Sequence, residues 1–91
     1  MKYEIHHTSR YKRDFRLTLK RGYNVKLLDE VVLHLANGIP LSPKHRDHAL
    51  SGNWAGYREC HITPDWLLIY TIRENVLILV LAGTGTHSDL F

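Results

Sequence analysis

Tyr57-Arg58-Glu59-Cys60-His61-Ile62-Thr63-Pro64-Asp65-Trp66-Leu67-Leu68-Ile69-Tyr70-Thr71-Ile72-Arg73-Glu74-Asn75-Val76-Leu77-Ile78-Leu79-Val80-Leu81-Ala82 is the stretch that decides the fold. It holds three strand-like runs, at 57–62, 66–72 and 76–82, separated only by Thr63-Pro64-Asp65 and Arg73-Glu74-Asn75. Links this short reach only an adjacent antiparallel strand, because a parallel crossover needs a dozen or more residues. The stretch is therefore predicted to be an antiparallel meander. The third run is apolar on both faces and reads as a central strand. In the first, alternation puts Tyr57, Glu59 and His61 on one face and Arg58, Cys60 and Ile62 on the other. His61 thus sits among polar residues, while Cys60 points toward the core as packing, where a thiol is inert.

Working back toward the N-terminus, Tyr3 and Ile5 mark a short strand over 2–6, and Thr8 or Ser9 supplies a helix N-cap. Tyr11, Phe15 and Leu19 recur at i, i+4 and i+8 from Arg10 to Arg21, predicting an amphipathic helix with a basic exterior that ends at Gly22. A second helix, capped by Asn24 and running to about Asn37, turns Leu28, Val31, Val32 and Leu35 inward. Its further apolar residues, Val25, Leu27 and Leu33, leave little polar surface, so the helix is either packed deeply within the domain, the favoured reading, or partly covered by a partner. From Gly38 to Asn53 no period is visible, and so long a connection in so small a domain points to function. Past the meander, Gly83 to Phe91 reads as an exit segment carrying His87, with Leu90 as a staple into the core. The elements add up to an α+β architecture in which two N-terminal helices cover one face of the sheet.

The 91 residues make one domain, 1–91, with 44% hydrophobic and 23% charged residues, the composition of a folded globule. One cysteine, Cys60, allows no internal disulfide and fits a reducing compartment. The N-terminus lacks the apolar run of a signal peptide, and 76–82 is too short to span a bilayer, so a cytoplasmic location without membrane contact is expected. Charge is uneven. Residues 1–26 carry eight basic residues against two acidic, a net +6, and the remainder four against seven, a net −3. Such a basic end suits a polyanionic partner.

Four ionisable residues stand at turns or at the ends of elements: His48, His61, Asp65 and His87. A metal site built from His61 and Asp65 with His87 or His48 is the weaker reading, because the set matches no recognised ligand spacing. Gly83-Thr84-Gly85 lacks the lysine of a phosphate-binding loop. Cleavage of RNA without a metal suits the set better. Attack of a 2′-hydroxyl on the adjacent phosphorus needs a base, an acid for the departing 5′-oxygen and positive charge for the phosphorane, and imidazoles can fill all three posts.

These residues lie in text that resembles the YafQ branch of the RelE/ParE toxin superfamily. The matching segments are Asp47-His48-Ala49-Leu50-Ser51-Gly52-Asn53-Trp54-Ala55-Gly56-Tyr57-Arg58, His61-Ile62-Thr63-Pro64-Asp65-Trp66-Leu67-Leu68-Ile69-Tyr70, and Gly85-Thr86-His87 with Leu90-Phe91. The resemblance implies a RelE-like fold of two N-terminal helices on an antiparallel sheet. It also implies an mRNA interferase that enters the ribosomal A site, with His48, His61, Asp65 and His87 as the ribonuclease site and Phe91 as a wall for the substrate. His87 is expected as the acid, Asp65 or His48 as the base, and His61 as the stabiliser of charge. Lys44, Arg46 and Arg58 are expected to add positive charge at the substrate, and Arg10, Lys12, Arg13, Arg16, Lys20 and Arg21 to grip ribosomal RNA through its phosphates.

No cofactor or metal is expected. The implied partner is a cognate antitoxin, usually a dimeric repressor whose disordered segment folds on binding, so that DNA is reached only through it. The competing reading is a ParE-like or other non-nucleolytic binding module on the same fold, which would not need the histidine group.

Overall fold

A computed structural model describes all residues, 1–91. Its elements run β1 (Glu4–His7), α1 (Ser9–Lys20), α2 (Val25–Ala36), β2 (His48–Ala49), β3 (Arg58–Thr63), β4 (Trp66–Arg73), β5 (Ile78–Gly85) and α3 (His87–Leu90), with single 3₁₀ turns at Pro43–His45 and Gly52–Trp54. The sheet order is β1-β5-β4-β3-β2. The meander is present, with β3, β4 and β5 antiparallel, and β5 is an interior strand as expected. β1, however, joins β5 in parallel, so the sheet is mixed. The reason is that α1 and everything after it intervene between β1 and β5, which frees their direction from any hairpin constraint.

The third strand is displaced from its expected span. Val76 and Leu77 lie exposed in the turn, Leu77 with φ of 54°, and the strand instead continues through Gly85. Hydrophobicity alone extended the run into the turn. At its far end Thr84 is buried and satisfied: the Trp66 indole donates to its hydroxyl at 2.8 Å, and that hydroxyl donates to the Leu67 carbonyl at 2.8 Å. Those bonds hold a Gly/Thr-rich segment in the sheet that composition reads as a loop.

Thr8 caps α1 by accepting from the Tyr11 amide, and Asn24 caps α2 by accepting from Lys26. Gly22 and Gly38, both at positive φ, follow the two helices as expected. On α1 the inward stripe is Tyr11, Phe15 and Thr18, and Leu19 is 51% exposed. A 3.6-residue period favours position 18 over 19 at the second turn, and the Thr18 hydroxyl is satisfied by the Asp14 carbonyl. On α2, Leu28, Val31, Leu35 and Ala36 are buried, while Leu27 and Leu33 stay exposed, contrary to the expectation that the domain would cover them.

Both faces of the sheet carry apolar clusters. The larger joins Tyr11, Leu28, Val31 and Leu35 of the helices to Cys60, Ile62, Leu68, Tyr70, Leu79 and Leu81, placing both helices on one face. The smaller, Leu67, Ile69, Ala82 and Leu90, lies on the other and is flanked by Leu50, Trp54 and Tyr57. Leu90 is the staple the sequence predicts, 5% exposed. The pairings Glu59↔Ile69, His61↔Leu67 and His48↔Glu59 put His48, Glu59 and His61 on this second face, away from the helices.

Candidate active site

The 38–53 connection contributes His48 by way of a sharp path. The 3₁₀ turn at Pro43–His45 ends at Arg46 in the left-handed conformation, φ 47°, and the chain then pairs with β3 through His48 and Ala49. Asp47 fastens this path. Its Oδ1 accepts from the Tyr70 hydroxyl at 2.7 Å and from Arg58 Nε at 3.2 Å. His45 Nδ1 donates to the His61 carbonyl at 2.6 Å, joining the same loop to the strand that bears His61. A stretch without visible period is thus held in place by side chains.

His48 Nδ1 donates to the Arg46 carbonyl at 2.6 Å, which sets its tautomer and leaves Nε2 as the atom available for proton transfer. His61 Nδ1 donates to the Pro64 carbonyl at 3.2 Å, so its Nε2 also faces away from the backbone. Between them stands Glu59, 6% exposed, its Oε1 3.6 Å from His61 Nε2 and 4.0 Å from His48 Nε2. Alternation along β3 puts Glu59 on the face of His61, but nothing in the sequence marks it as a site residue. The alternation was the signal; what it lacked was the β2–β3 register, which brings His48 to the same carboxylate.

His61, Asp65 and His87 line one open cleft of about 510 Å³, together with Pro64, Leu67, Thr86 and Ser88. Asp65 reaches it from the β3–β4 turn, beside a register shift between His61 and Thr63 of the kind that re-aims side chains at functional edges. His87 reaches it as the first residue of α3, which follows β5 without a linker because Thr86 caps it. The Phe91 ring lies 4.9 Å from the His87 ring and is exposed. Three of the four expected residues therefore share a cleft, and the fourth, His48, joins through Glu59.

The expected cationic residues do not stay together. Arg58 lies on the face of Cys60 and Tyr70, opposite His61, and its guanidinium is bound to Asp47. Lys44 borders a separate groove against α2 with Glu30 and His34. Arg46 stays exposed in the loop preceding His48. On α1, Lys12, Arg13, Arg16 and Lys20 are exposed and form no ion pair, whereas Arg10 lies over the Trp54 ring beside Asp14, and Arg21 is paired with Asp89. Charge counted along the sequence does not distinguish free cations from committed ones. No three His, Cys, Asp or Glu side chains converge closely enough to hold a metal ion.

Residues 3–91 match the family model described as the bacterial toxin of type II toxin-antitoxin system, YafQ. The chain belongs to the YafQ toxin family. It is 38% identical to the mRNA interferase toxin YafQ of Escherichia coli K12 over 97% of this chain and 95% of that one. Among solved structures it is similar to the toxin in the E. coli DinJ-YafQ toxin-antitoxin complex, with TM-score 0.88 and 36% identity over 100% of this chain and 99% of that one. A metal-bound toxin from Helicobacter pylori gives TM-score 0.91 and 40% identity over 98% and 99%. In this chain the family's helix-on-sheet fold carries the cleft of His61, Asp65 and His87 on the face away from the helices.

Proposed function

We propose that this protein is the endoribonuclease toxin of its type II toxin–antitoxin pair and cuts mRNA exposed in the ribosomal A site, in the cytoplasm. The carrying observation is the cleft shared by His61, Asp65 and His87, with His48 linked to it by Glu59. In the reaction, the 2′-oxygen forms a bond to phosphorus, its proton passing to His48 Nε2 or Asp65. The bond from phosphorus to the 5′-oxygen breaks, and His87 protonates the departing oxygen. The products are a 2′,3′-cyclic phosphate and a 5′-hydroxyl. His61 faces the phosphorane charge, and Glu59, 3.6 Å from His61 Nε2, is the counter-charge to that imidazole in its protonated form. Phe91, beside His87, offers an exposed ring for a base to stack upon.

Lys12, Arg13, Arg16 and Lys20 are the cations free to grip ribosomal RNA by its phosphates. The antitoxin has a fitting surface of its own. A groove of about 700 Å³ between α1 and α2 is lined by Ile5, Tyr11, Phe15 and Val32, and its charged residues, Lys12 and Arg16 against Asp29, leave it net basic, which suits an acidic amphipathic segment that folds on binding. The toxin of the E. coli DinJ-YafQ complex, similar over the full chain, supports an antitoxin partner.

Primer extension on mRNA recovered from translating ribosomes tests the reading. Wild-type protein should give codon-dependent cuts in the A site, and His87→Ala should give none while keeping wild-type circular dichroism. Cleavage retained by His87→Ala would remove His87 from the site. Absence of ribosome-dependent cuts by wild type would return the non-nucleolytic binding module.

A further inference from the structure

The α3 segment that carries His87 is a single turn of four residues, too short to hold its own shape. Its position is set from outside. Leu90 anchors one side in the cluster of Leu67, Ile69 and Ala82. The other side is held by Asp89, whose two carboxylate oxygens accept from the two terminal nitrogens of Arg21, at 2.6 Å to Nη1 and 3.1 Å to Nη2. The same carboxylate accepts from the Thr86 amide at 2.8 Å, while the Thr86 hydroxyl accepts from the Asp89 amide at 3.2 Å, closing a capping box around His87. Arg10 Nη2 donates to the Asp89 carbonyl at 3.3 Å. Gly85 leaves the room this needs, since a Cβ there would meet Asp89 Oδ2 at 2.8 Å.

We propose that Arg21 and Asp89 are positioning residues that clamp α3 to the end of α1 and so hold His87 and Phe91 against the cleft. The planar fork of arginine meets both carboxylate oxygens at once and fixes orientation as well as distance. Arg21, expected from the sequence among the RNA-gripping cations, is thereby committed to a carboxylate of its own chain. The inference rests on the proposed role of His87, but the clamp itself can be tested without activity.

Three variants separate a clamp from an RNA contact: Asp89→Asn, Arg21→Gln and Arg21→Lys, assayed with ribosome-bound mRNA alongside His87→Ala, and examined free in solution by NMR of the His87 and Phe91 rings. A clamp predicts that all three lower kcat by about tenfold to a hundredfold with KM little changed, the scale at which misplacing a reacting group acts. It also predicts altered shifts and faster motion of both rings in all three. Arg21→Lys should fail to rescue, because an ammonium cannot make the fork. An RNA contact predicts the reverse: Arg21→Lys near wild type, Arg21→Gln raised in KM, and Asp89→Asn binding more tightly because a guanidinium is freed. Unchanged ring signals in the variants, or wild-type kcat in Asp89→Asn, overturn the proposal. If His87→Ala remains active while the ring signals still move, the clamp stands and the catalytic role of His87 falls.

Discussion

The Tyr70 hydroxyl donates to Asp47 Oδ1 at 2.7 Å, joining a residue of the innermost strand, 1% exposed, to the loop residue that precedes His48. Burial, and then the Asp47 carboxylate, push the Tyr70 phenol upward, so it remains a donor throughout the working pH range. Asp47→Ala should therefore cost about 1–3 kcal/mol of stability, because it strands a buried hydroxyl. Tyr70→Phe, which leaves Asp47 with Arg58 and solvent, should cost less. Urea denaturation of both variants measures the order, and the β2 amides should lose hydrogen-exchange protection in each.

Glu59 is the one buried carboxylate on the histidine face. Glu59→Gln preserves its volume and removes the charge between His48 and His61, so single-turnover cleavage should slow by about tenfold or more. The midpoint of thermal unfolding should move little. A Glu59→Gln protein that cleaves at the wild-type rate would confine Glu59 to packing.

Cys60 is fully buried, and burial pushes its thiol up, with Asp47 and Glu59 adding to the effect. The thiolate is the reactive form, so native protein should not react with a disulfide reagent and should release one equivalent on unfolding. Cys60→Ser should retain cleavage while losing roughly 1–3 kcal/mol, because a hydroxyl then replaces sulfur at an apolar site. Absorbance of the released thiol and urea denaturation read the two effects.

The Arg21 guanidinium and, after it, the Thr86 amide hold the Asp89 carboxyl well below the usual carboxylate range. A carboxylate lowered on folding contributes stability that is complete above its unfolded value of about 3.9 and is lost as pH falls below that value toward the lowered folded one. Asp89→Asn should then unfold at a lower temperature than wild type at pH 7. Below about pH 4 the gap should narrow as wild-type Asp89 loses its charge. Calorimetry across that range reads the gap; a constant difference would mean that the Asp89 charge contributes nothing.

Legibility differed by element. The helices were readable because Thr8, Asn24, Gly22 and Gly38 punctuate them and their apolar residues repeat at helical spacing. The end of β5 was not, because Gly83 and Gly85 have low strand propensity and the segment is held there by the Trp66–Thr84–Leu67 bonds. His48 was visible as a residue type but not as a neighbour of Glu59, since its loop has no period and is fastened by Asp47 and His45.

By itself, the sequence determined the chemistry available: three short strands joined by links that allow only antiparallel pairing, two capped helices, and a basic N-terminal third, with histidines and a carboxylate left at the turns. Those properties follow from local sterics and periodicity, which act over a few residues. Only the tertiary structure decided that β1 runs parallel to β5, that Glu59 stands between His48 and His61, that Arg21 pairs with Asp89, and that Arg10 lies over the Trp54 ring. β1 with β5, His48 with Glu59, Arg21 with Asp89 and Arg10 with Trp54 join residues 11 to 74 positions apart, where register and side-chain packing, not local preference, choose the partner.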